Sequence, residues 1–347
     1  MSIKTTFVIG AGASKEANLP TGYELKGTIS RLLDIKFDFH QQKSGDYIIT
    51  HALINHVKLP DGRNGDINPY LHEAWHIKEA LPLAISIDNF IDAHKENTKI
   101  ELCGKLAIVR SILDAEKGST LYVNRDNVNN TINFPSLEKS WYIPFFQLLT
   151  ENCSAEDLEE RFKSIALIVF NYDRCVEHFL KHAIQNYYRI PQTEAEALVS
   201  SIEIYHPYGS IGNLPWMERH NSMDFGAEPN GAQLLELSGQ IKTFTEGTDP
   251  NSSEILAIRQ HMAAAERVVF IGFAFHKLNM ELITPDNLKG INTSDISCYA
   301  TTYGISESDK NVINEQIDAL YETTINKNMA NLHAGPFFNE FWRSLSF

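Results

Sequence analysis

The sequence reads TTFVI at residues 5–9, and GAGAS follows directly at residues 10–14. A short run of β-branched and aromatic residues that stops at glycines is typical of a buried strand entering a tight turn. Thr21 and Glu24 then have the spacing of a helix-capping pair, and an apolar stripe of helical spacing follows them. The first 35 residues therefore predict a strand, a glycine turn and a helix.

Further short apolar runs occur in the second half of the chain, at residues 165–170, 202–205, 267–272 and 296–300. A continuous apolar run is expected for a strand that is buried on both faces. Residues with helical spacing lie between these runs, and Ser306 with Asp309 predicts the start of a last long helix. Alternating strands and helices predict an α/β fold, a Rossmann-like doubly wound parallel sheet.

The stretch between these two regions has a different pattern, with polar segments, scattered aromatic residues and glycine-containing loops. Helices are predicted around residues 71–81, 86–96 and 100–116, and an asparagine-rich loop over residues 124–133. We therefore predict a core of residues 1–35 and 160–347. A mostly helical insertion, residues 36–159, interrupts this core and packs over the site.

Composition excludes several classes of protein. The 347 residues include 30 Lys and Arg against 44 Asp and Glu, a net charge of −14 that argues against general nucleic-acid or anionic-membrane binding. The four cysteines lie far apart, which argues against a disulfide framework and a cysteine-rich zinc site. No apolar run approaches the ~20 residues of a membrane span, and no signal peptide is recognisable. We expect a cytoplasmic protein.

The residues that follow the predicted strands are the candidates for a site, because ligands of open parallel sheets bind beyond the carboxyl ends of the strands. Gly10 and Gly12 allow backbone N–H groups to approach a phosphate closely. However, Lys15 occupies the place of the third glycine in the usual dinucleotide fingerprint. Taken alone, the glycine turn is as consistent with a purely structural turn as with a nucleotide-binding site.

The order of these segments resembles the sirtuin, or silent information regulator, superfamily, and most closely its bacterial NAD-hydrolase branch that works in anti-phage defence. The matching segments are Gly10 to Ser14, Ser86-Ile87-Asp88-Asn89-Phe90, Phe170-Asn171-Tyr172-Asp173, His206 to Gly209, and Ile271-Gly272-Phe273-Ala274-Phe275-His276. Each motif is short, but their joint order spans residues 5 to 280.

The resemblance implies that NAD lies across the carboxyl edge of the sheet, with Asn171 at the nicotinamide ribose or the attacking water and His206 as general base. The residues implied to contact NAD are Gly10, Ala11, Gly12, Ala13, Ser14, Asp88, Asp173, Gly209, Ser210, Gly272 and Phe273. No metal is expected. The implied activity is hydrolysis of NAD+ to ADP-ribose and nicotinamide by a defence effector, held in check through homo-oligomerisation or a separate sensor protein.

The chain departs from the family pattern at two points. Deacetylating sirtuins carry two Cys-x-x-Cys pairs that hold a structural zinc, and this sequence has none, which argues against protein deacetylation. The family histidine usually precedes the glycine directly, whereas Tyr208 precedes Gly209 here and His206 lies two residues earlier. Positions two apart on a strand share a face, so His206 can still point into the crevice. Tyr208 or another histidine remains an alternative.

The chemistry of the residues agrees with the implied reaction. Cleavage of the nicotinamide–ribose bond passes through an oxocarbenium-like state, as in glycoside transfer, and nicotinamide leaves as a neutral molecule that needs no acid. The Asn171 amide can donate and accept hydrogen bonds. The His206 imidazole can titrate near neutral pH.

Three other interpretations stay open at this point. Asn171 and Asp173 can simply cap the helix after their strand, and His206 can be a hydrogen-bonded turn histidine. The protein can be a binding module that senses a nucleotide or ADP-ribose without cleaving it. Finally, residues 72–76 read HEAWH, so that His72, Glu73 and His76 have the spacing of a zinc metallopeptidase, although no third ligand has a distinctive context.

Overall fold

The computed structural model describes residues 3–124, 131–217, 221–243, 249, 251–288, 290–291 and 293–347. Its strands, in chain order, are β1 (Thr5–Ile9), β2 (Lys36–Asp38), β3 (Gln41–Ser44), β4 (Ile165–Val169), β5 (Glu203–Tyr205), β6 (Arg267–Ile271), β7 (Ser297–Thr301) and β8 (Asn326–Ala330). β2 and β3 form an antiparallel hairpin, and the six others form the central sheet.

The central sheet is parallel throughout, in the order β5-β4-β1-β6-β7-β8. When the hairpin is left out, the six strands in chain order are arranged 3-2-1-4-5-6. This is the arrangement of doubly wound dinucleotide-binding folds, in which the chain reverses direction across the sheet beside its first strand. The predicted fold class is therefore confirmed.

The helices are α1 (Ala11–Ser14), α2 (Gly22–Leu32), α3 (Tyr47–His56), α4 (Asn68–Ala80), α5 (Ile87–Ala93), α6 (Thr98–Lys117), α7 (Tyr142–Thr150), α8 (Leu158–Phe162), α9 (Cys175–Tyr188), α10 (Gln192–Ser200), α11 (Gly231–Ser238), α12 (Ser253–Ala264), α13 (Lys277–Ile283), α14 (Glu307–Leu320), α15 (Ala334–Glu340) and α16 (Trp342–Leu345). The helices predicted near residues 71–81, 86–96 and 100–116 correspond to α4, α5 and α6. The loop predicted over residues 124–133 lies mostly outside the described residues.

Two apolar cores cover the faces of the sheet, because side chains alternate between the faces along each strand. Phe7 and Ile9 of β1 pack on one face with aromatic residues of α7, α9 and α15. Val8 packs on the other face with apolar residues of α12, α13 and α14. All five residues of β1 are buried, which accounts for its uninterrupted apolar pattern.

A third core belongs mainly to the predicted insertion, where α3, α4, α5 and α6 pack together. Two neighbouring elements cross the predicted boundaries. α11 contributes Leu234 and Leu237 to this core, and α7 packs on the sheet although it lies within residues 36–159. The insertion is mostly helical in the described residues, and its separation as a domain stays a prediction.

Helix starts follow the predicted capping residues. The Thr21 hydroxyl accepts a hydrogen bond from the Glu24 N–H, and the Glu24 carboxylate accepts one from the Thr21 N–H at 2.9 Å. Ser306 likewise accepts from the Asp309 N–H at 3.1 Å and starts α14. Among the described residues, no helix combines the length and the apolar character needed to span a membrane.

The glycines after β1 and β6 let two loops touch backbone to backbone. The N–H of Gly10 donates to the Ile271 carbonyl at 2.9 Å, and the N–H of Gly12 donates to the Gly272 carbonyl at 3.0 Å. Gly272 has φ +57°, and a Cβ at this position would lie 2.1 Å from the backbone nitrogen of Ala13. Gly272 is therefore required both by its conformation and by the lack of space.

Replacement of Gly272 by alanine tests this contact. We expect Gly272→Ala to lower the free energy of unfolding by more than about 3 kcal/mol, since the new methyl group displaces backbone atoms. Gly62 is the matched control, because its φ is +84° and a Cβ there meets nothing within 4 Å. Gly62→Ala should lose only about 1–2 kcal/mol from backbone strain. Urea unfolding measures both, and equal losses would contradict the close contact.

Candidate active site

A buried group of polar side chains joins the carboxyl ends of β1 and β4. The Ser14 hydroxyl donates to Oδ2 of Asp173 at 2.8 Å and accepts from Nδ2 of Asn171, also at 2.8 Å. All three side chains are buried. Residues 14 and 171–173 are more than 150 positions apart in the sequence and meet because β1 and β4 are neighbouring parallel strands. We call these three residues the polar cluster.

Burial affects two groups of the polar cluster, the Asp173 carboxyl group and the Asn171 amide oxygen. Burial raises the pKa of Asp173, against the opposing effect of the Ser14 hydroxyl. Oδ1 of Asn171 is buried and has no hydrogen-bond partner among the described residues. Leaving a buried carbonyl oxygen unpaired costs about 1–3 kcal/mol. Oδ1 of Asn171 is therefore an unsatisfied acceptor within the described residues.

Arg174 is the N-cap residue of α9 and makes no side-chain cap, and of Asn171 and Asp173 only Asp173 contacts the start of this helix. Oδ1 of Asp173 accepts from the N–H of Cys175, the first residue of α9, at 3.1 Å. The Asn171 side chain instead contacts Ser14, so its position is not explained by capping.

His206 follows β5 and lies beside the polar cluster. Its Nδ1 is 3.1 Å from the backbone carbonyl oxygen of Asn171, and its Nε2 is 2.7 Å from Oε1 of Glu177 on α9. Burial alone would lower the pKa of His206, but the charge and hydrogen bond of Glu177 raise it to about 8. The imidazole therefore titrates close to physiological pH.

The alternative residue, Tyr208, is held on the other face of the sheet. Its hydroxyl donates to Oδ1 of Asn279 at 2.6 Å, and its ring packs against Phe170 at 5.7 Å between centroids. Of the two residues, His206 is the one that lies against Asn171.

The glycine turn is partly open to solvent. Gly12 is exposed and Ala11 is half-buried, whereas Gly10 and Ala13 are buried. The Ala13 carbonyl accepts from Nε1 of Trp141 at 3.0 Å. A ligand that reaches this turn would therefore approach it at residues 11 and 12.

The residues after β6 and β5 that are predicted to contact NAD have surroundings that differ from those of the polar cluster. Phe273 is buried among aromatic rings, 5.1 Å from Phe170 and 5.4 Å from Phe270 between centroids. Gly209 and Ser210 line a cavity of about 390 Å³ together with His206 and Glu177. The structure thus brings Ser14, Asn171, Asp173 and His206 together. Their binding roles, and those of the other predicted residues, stay predictions.

Asp88 links the insertion to this region. It lies in the first turn of α5, and its Oδ1 accepts a hydrogen bond from the Tyr172 hydroxyl at 2.5 Å. Burial raises the pKa of Asp88. The insertion therefore contacts the segment between Asn171 and Asp173 through a side-chain hydrogen bond.

Sequence reasoning missed a buried ion pair next to Asp173. Nη2 of Arg174 lies 2.6 Å from Oε2 of Glu116 on α6, and the two side chains are 1% and 0% exposed. Arg174 also donates to the Met223 carbonyl at 2.6 Å, and the Gly226 N–H donates to Glu116 at 2.9 Å. A single arginine or glutamate in a helical pattern gives no signal of burial, because these residues are usually exposed.

The residues with metallopeptidase spacing do not form a metal centre in the described residues. His72 and His76 are exposed on α4, and Glu73 is 3.2 Å from Nδ1 of His76. Within the described ranges, no group of three or more His, Cys, Asp or Glu side chains is placed to hold a metal ion. The third ligand that a zinc peptidase needs is therefore not found there.

No protein-family model matches the chain, and no curated protein matches it. These comparisons therefore assign no family, and the resemblance to sirtuins stays a prediction that rests on the short motifs and their order.

Removal of Glu116 tests the buried ion pair. Glu116→Ala should lower the free energy of unfolding by about 3–5 kcal/mol, because the Arg174 guanidinium stays buried without its counter-charge. The control is Glu159→Ala, which removes an exposed partner 3.5 Å from Lys163 and should change stability by less than about 1 kcal/mol. Denaturant unfolding measures both. A loss of less than about 1 kcal/mol in Glu116→Ala would show that the ion pair does not hold α6 to the segment after β4.

Proposed function

We propose that this protein is an NAD+ hydrolase that cleaves the nicotinamide–ribose bond to give nicotinamide and ADP-ribose. One observation carries the proposal: buried Ser14, Asn171 and Asp173 meet His206 at the carboxyl edge of a sheet with dinucleotide-binding strand order. The sequence motifs that resemble sirtuin-like hydrolases supply the same residues.

The geometry supports a division of roles among these residues. Oδ1 of Asn171 would accept a hydrogen bond from a ribose hydroxyl or from the attacking water, since it has no partner in the described residues. Ser14 and Asp173 would hold the Asn171 amide in this orientation. His206 would take up a proton in its neutral form, a contribution of roughly 10²–10⁴ to the rate.

The reaction itself places few further demands on the protein. The nicotinamide leaves as a neutral molecule, so a general acid is not needed, and the oxocarbenium-like state requires a rigid pocket with nearby polar oxygens. Positioning must supply the remaining acceleration. The polar cluster would supply such oxygens, and its side chains are buried and mutually hydrogen-bonded.

The proposal extends to a cellular role by resemblance. An effector that depletes NAD in anti-phage defence would act in the cytoplasm, where its substrate is found. Unregulated cleavage would harm the host, so we propose control through a homo-oligomer or a separate sensor protein. The net charge of −14 supports a partner other than nucleic acid.

Nicotinamide release from NAD by the purified protein tests the activity, with and without the product of a neighbouring gene. We expect Asn171→Ala and His206→Ala each to lower the rate at least about 10²-fold. Matched controls are Asn186→Ala, an exposed asparagine on α9, and His56→Ala, an exposed histidine on α3. Both controls should keep the wild-type rate.

One outcome would contradict the residue roles and another the proposed function. Full activity in both site variants would leave the hydrolase standing but assign the chemistry to other residues. Tight binding of NAD or ADP-ribose in calorimetry, lost in Asn171→Ala and without any nicotinamide release, would instead favour the nucleotide-binding module.

A further inference from the structure

We propose that Glu177 is a positioning residue for His206, one that holds the Nε2–H of the imidazole, so that Nδ1 is the nitrogen that loses its proton. Glu177 lies in the first turn of α9, and its carboxylate contacts Nε2 at 2.7 Å. Its role in the reaction rests on the proposed function, whereas its pairing with His206 does not.

The two partners of the imidazole fix its protonation. Nε2 faces a carboxylate and Nδ1 faces the backbone carbonyl of Asn171, and both groups can only accept hydrogen bonds. When both contacts are made, both ring nitrogens carry protons and His206 is an imidazolium. In this form the ring has no lone pair with which to act as a base.

The two contacts differ in strength, which decides which nitrogen loses its proton. The Nε2 contact, at 2.7 Å, is to an ionised carboxylate, whereas the Nδ1 contact, at 3.1 Å, is to a neutral carbonyl. Once the ring is neutral, a bond kept at Nε2 still has an ionised acceptor and is roughly twice as strong as a bond kept at Nδ1, which joins two neutral groups. Deprotonation is therefore expected at Nδ1, the nitrogen that lies against the backbone carbonyl of Asn171.

Glu177 stays ionised in this arrangement. Burial would raise its pKa, but the charge and hydrogen bond of His206 outweigh this and leave the pKa lowered. The side chain is 2% exposed, and its second oxygen, Oε2, has no partner among the described residues. A buried carboxylate with an unpaired oxygen is costly, so its contribution here is the contact with His206 rather than stability.

Other charged groups lie around the imidazole. Asp173 and Arg174 follow β4, and the charge of Arg174 is balanced by Glu116. Lys242 and Glu254 line the cavity of about 390 Å³ that His206 and Glu177 share. Lys242 and Glu254 lie 3.9 Å apart and offset each other, which leaves Glu177 as the dominant influence on His206.

The first test measures His206 directly in the full-length chain, without NAD. Titration followed by ¹⁵N and ¹H NMR of the ring gives the pKa and the nitrogen that loses its proton. We expect the wild-type pKa near 8, with Nδ1 titrating. In Glu177→Gln the side-chain carbonyl still accepts the Nε2–H without the charge, so the pKa should fall by at least one unit.

The second test follows nicotinamide release as a function of pH. Only neutral His206 acts as a base, so wild-type activity should rise as the pH passes through about 8. The rise in Glu177→Gln should move to lower pH, with a maximal rate about 10-fold below wild type. Glu177→Asp, which keeps the charge, should restore the wild-type midpoint at least in part.

The two tests separate the two proposals. An unchanged His206 pKa in Glu177→Gln, or titration at Nε2, would overturn the role of Glu177 whatever the activity. A lowered pKa together with no nicotinamide release from the wild type would support the pairing and overturn the hydrolase. If Glu177→Gln fails to fold, the His206 pKa is compared between the wild type and Glu177→Asp. A His206 pKa near the ordinary value of 6.5 in the wild type would then contradict the pairing.

Discussion

β1 makes parallel hydrogen bonds to β4 on one side and to β6 on the other, so that five residues near the start of the chain join the two halves of the sheet. Strand pairing in this register places the loops after all three strands at one edge. The loops after β1 and β6 come so close that only glycine is accommodated at Gly272. The position of the polar cluster follows from this central pairing.

Ser14 connects the pairing of β1 and β4 to the polar cluster. Its hydroxyl uses one donor and one acceptor position to connect Asp173 and Asn171 across neighbouring strands. Buried polar networks are stable only when their members are satisfied. Among the described residues, Oδ1 of Asn171 and Oε2 of Glu177 are two buried oxygens near this site that lack a hydrogen-bond partner.

The sequence predicted the central strands because burial on both faces requires continuous apolar runs, as in Thr5–Ile9 and Ile165–Val169. It did not reveal β8, since this edge strand is only partly buried and reads as Asn326–Ala330, with polar residues at three of its five positions. The candidates Asn171 and His206 were found from their place after strands. Glu177 was missed because an acidic residue in the first turn of a helix is common for electrostatic reasons alone.

Tertiary packing also limits what motifs can predict. Phe273 follows a strand in the expected place, yet its ring is buried among aromatic neighbours, and no pattern in the sequence distinguishes this from a ring that covers a ligand. The boundary of the insertion is equally hard to read, because α11 lies far along the chain but packs against α3.

The Arg174–Glu116 pair has a mechanical consequence. Arg174 is joined to α6 by two hydrogen bonds to one carboxylate, and to the loop after β5 by the carbonyls of Met223 and Asp224. A tilt of α6 would therefore move Arg174, and with it the adjacent backbone of Asn171 and Asp173. Substitutions inside the helical insertion can in this way alter the geometry around the imidazole without touching it.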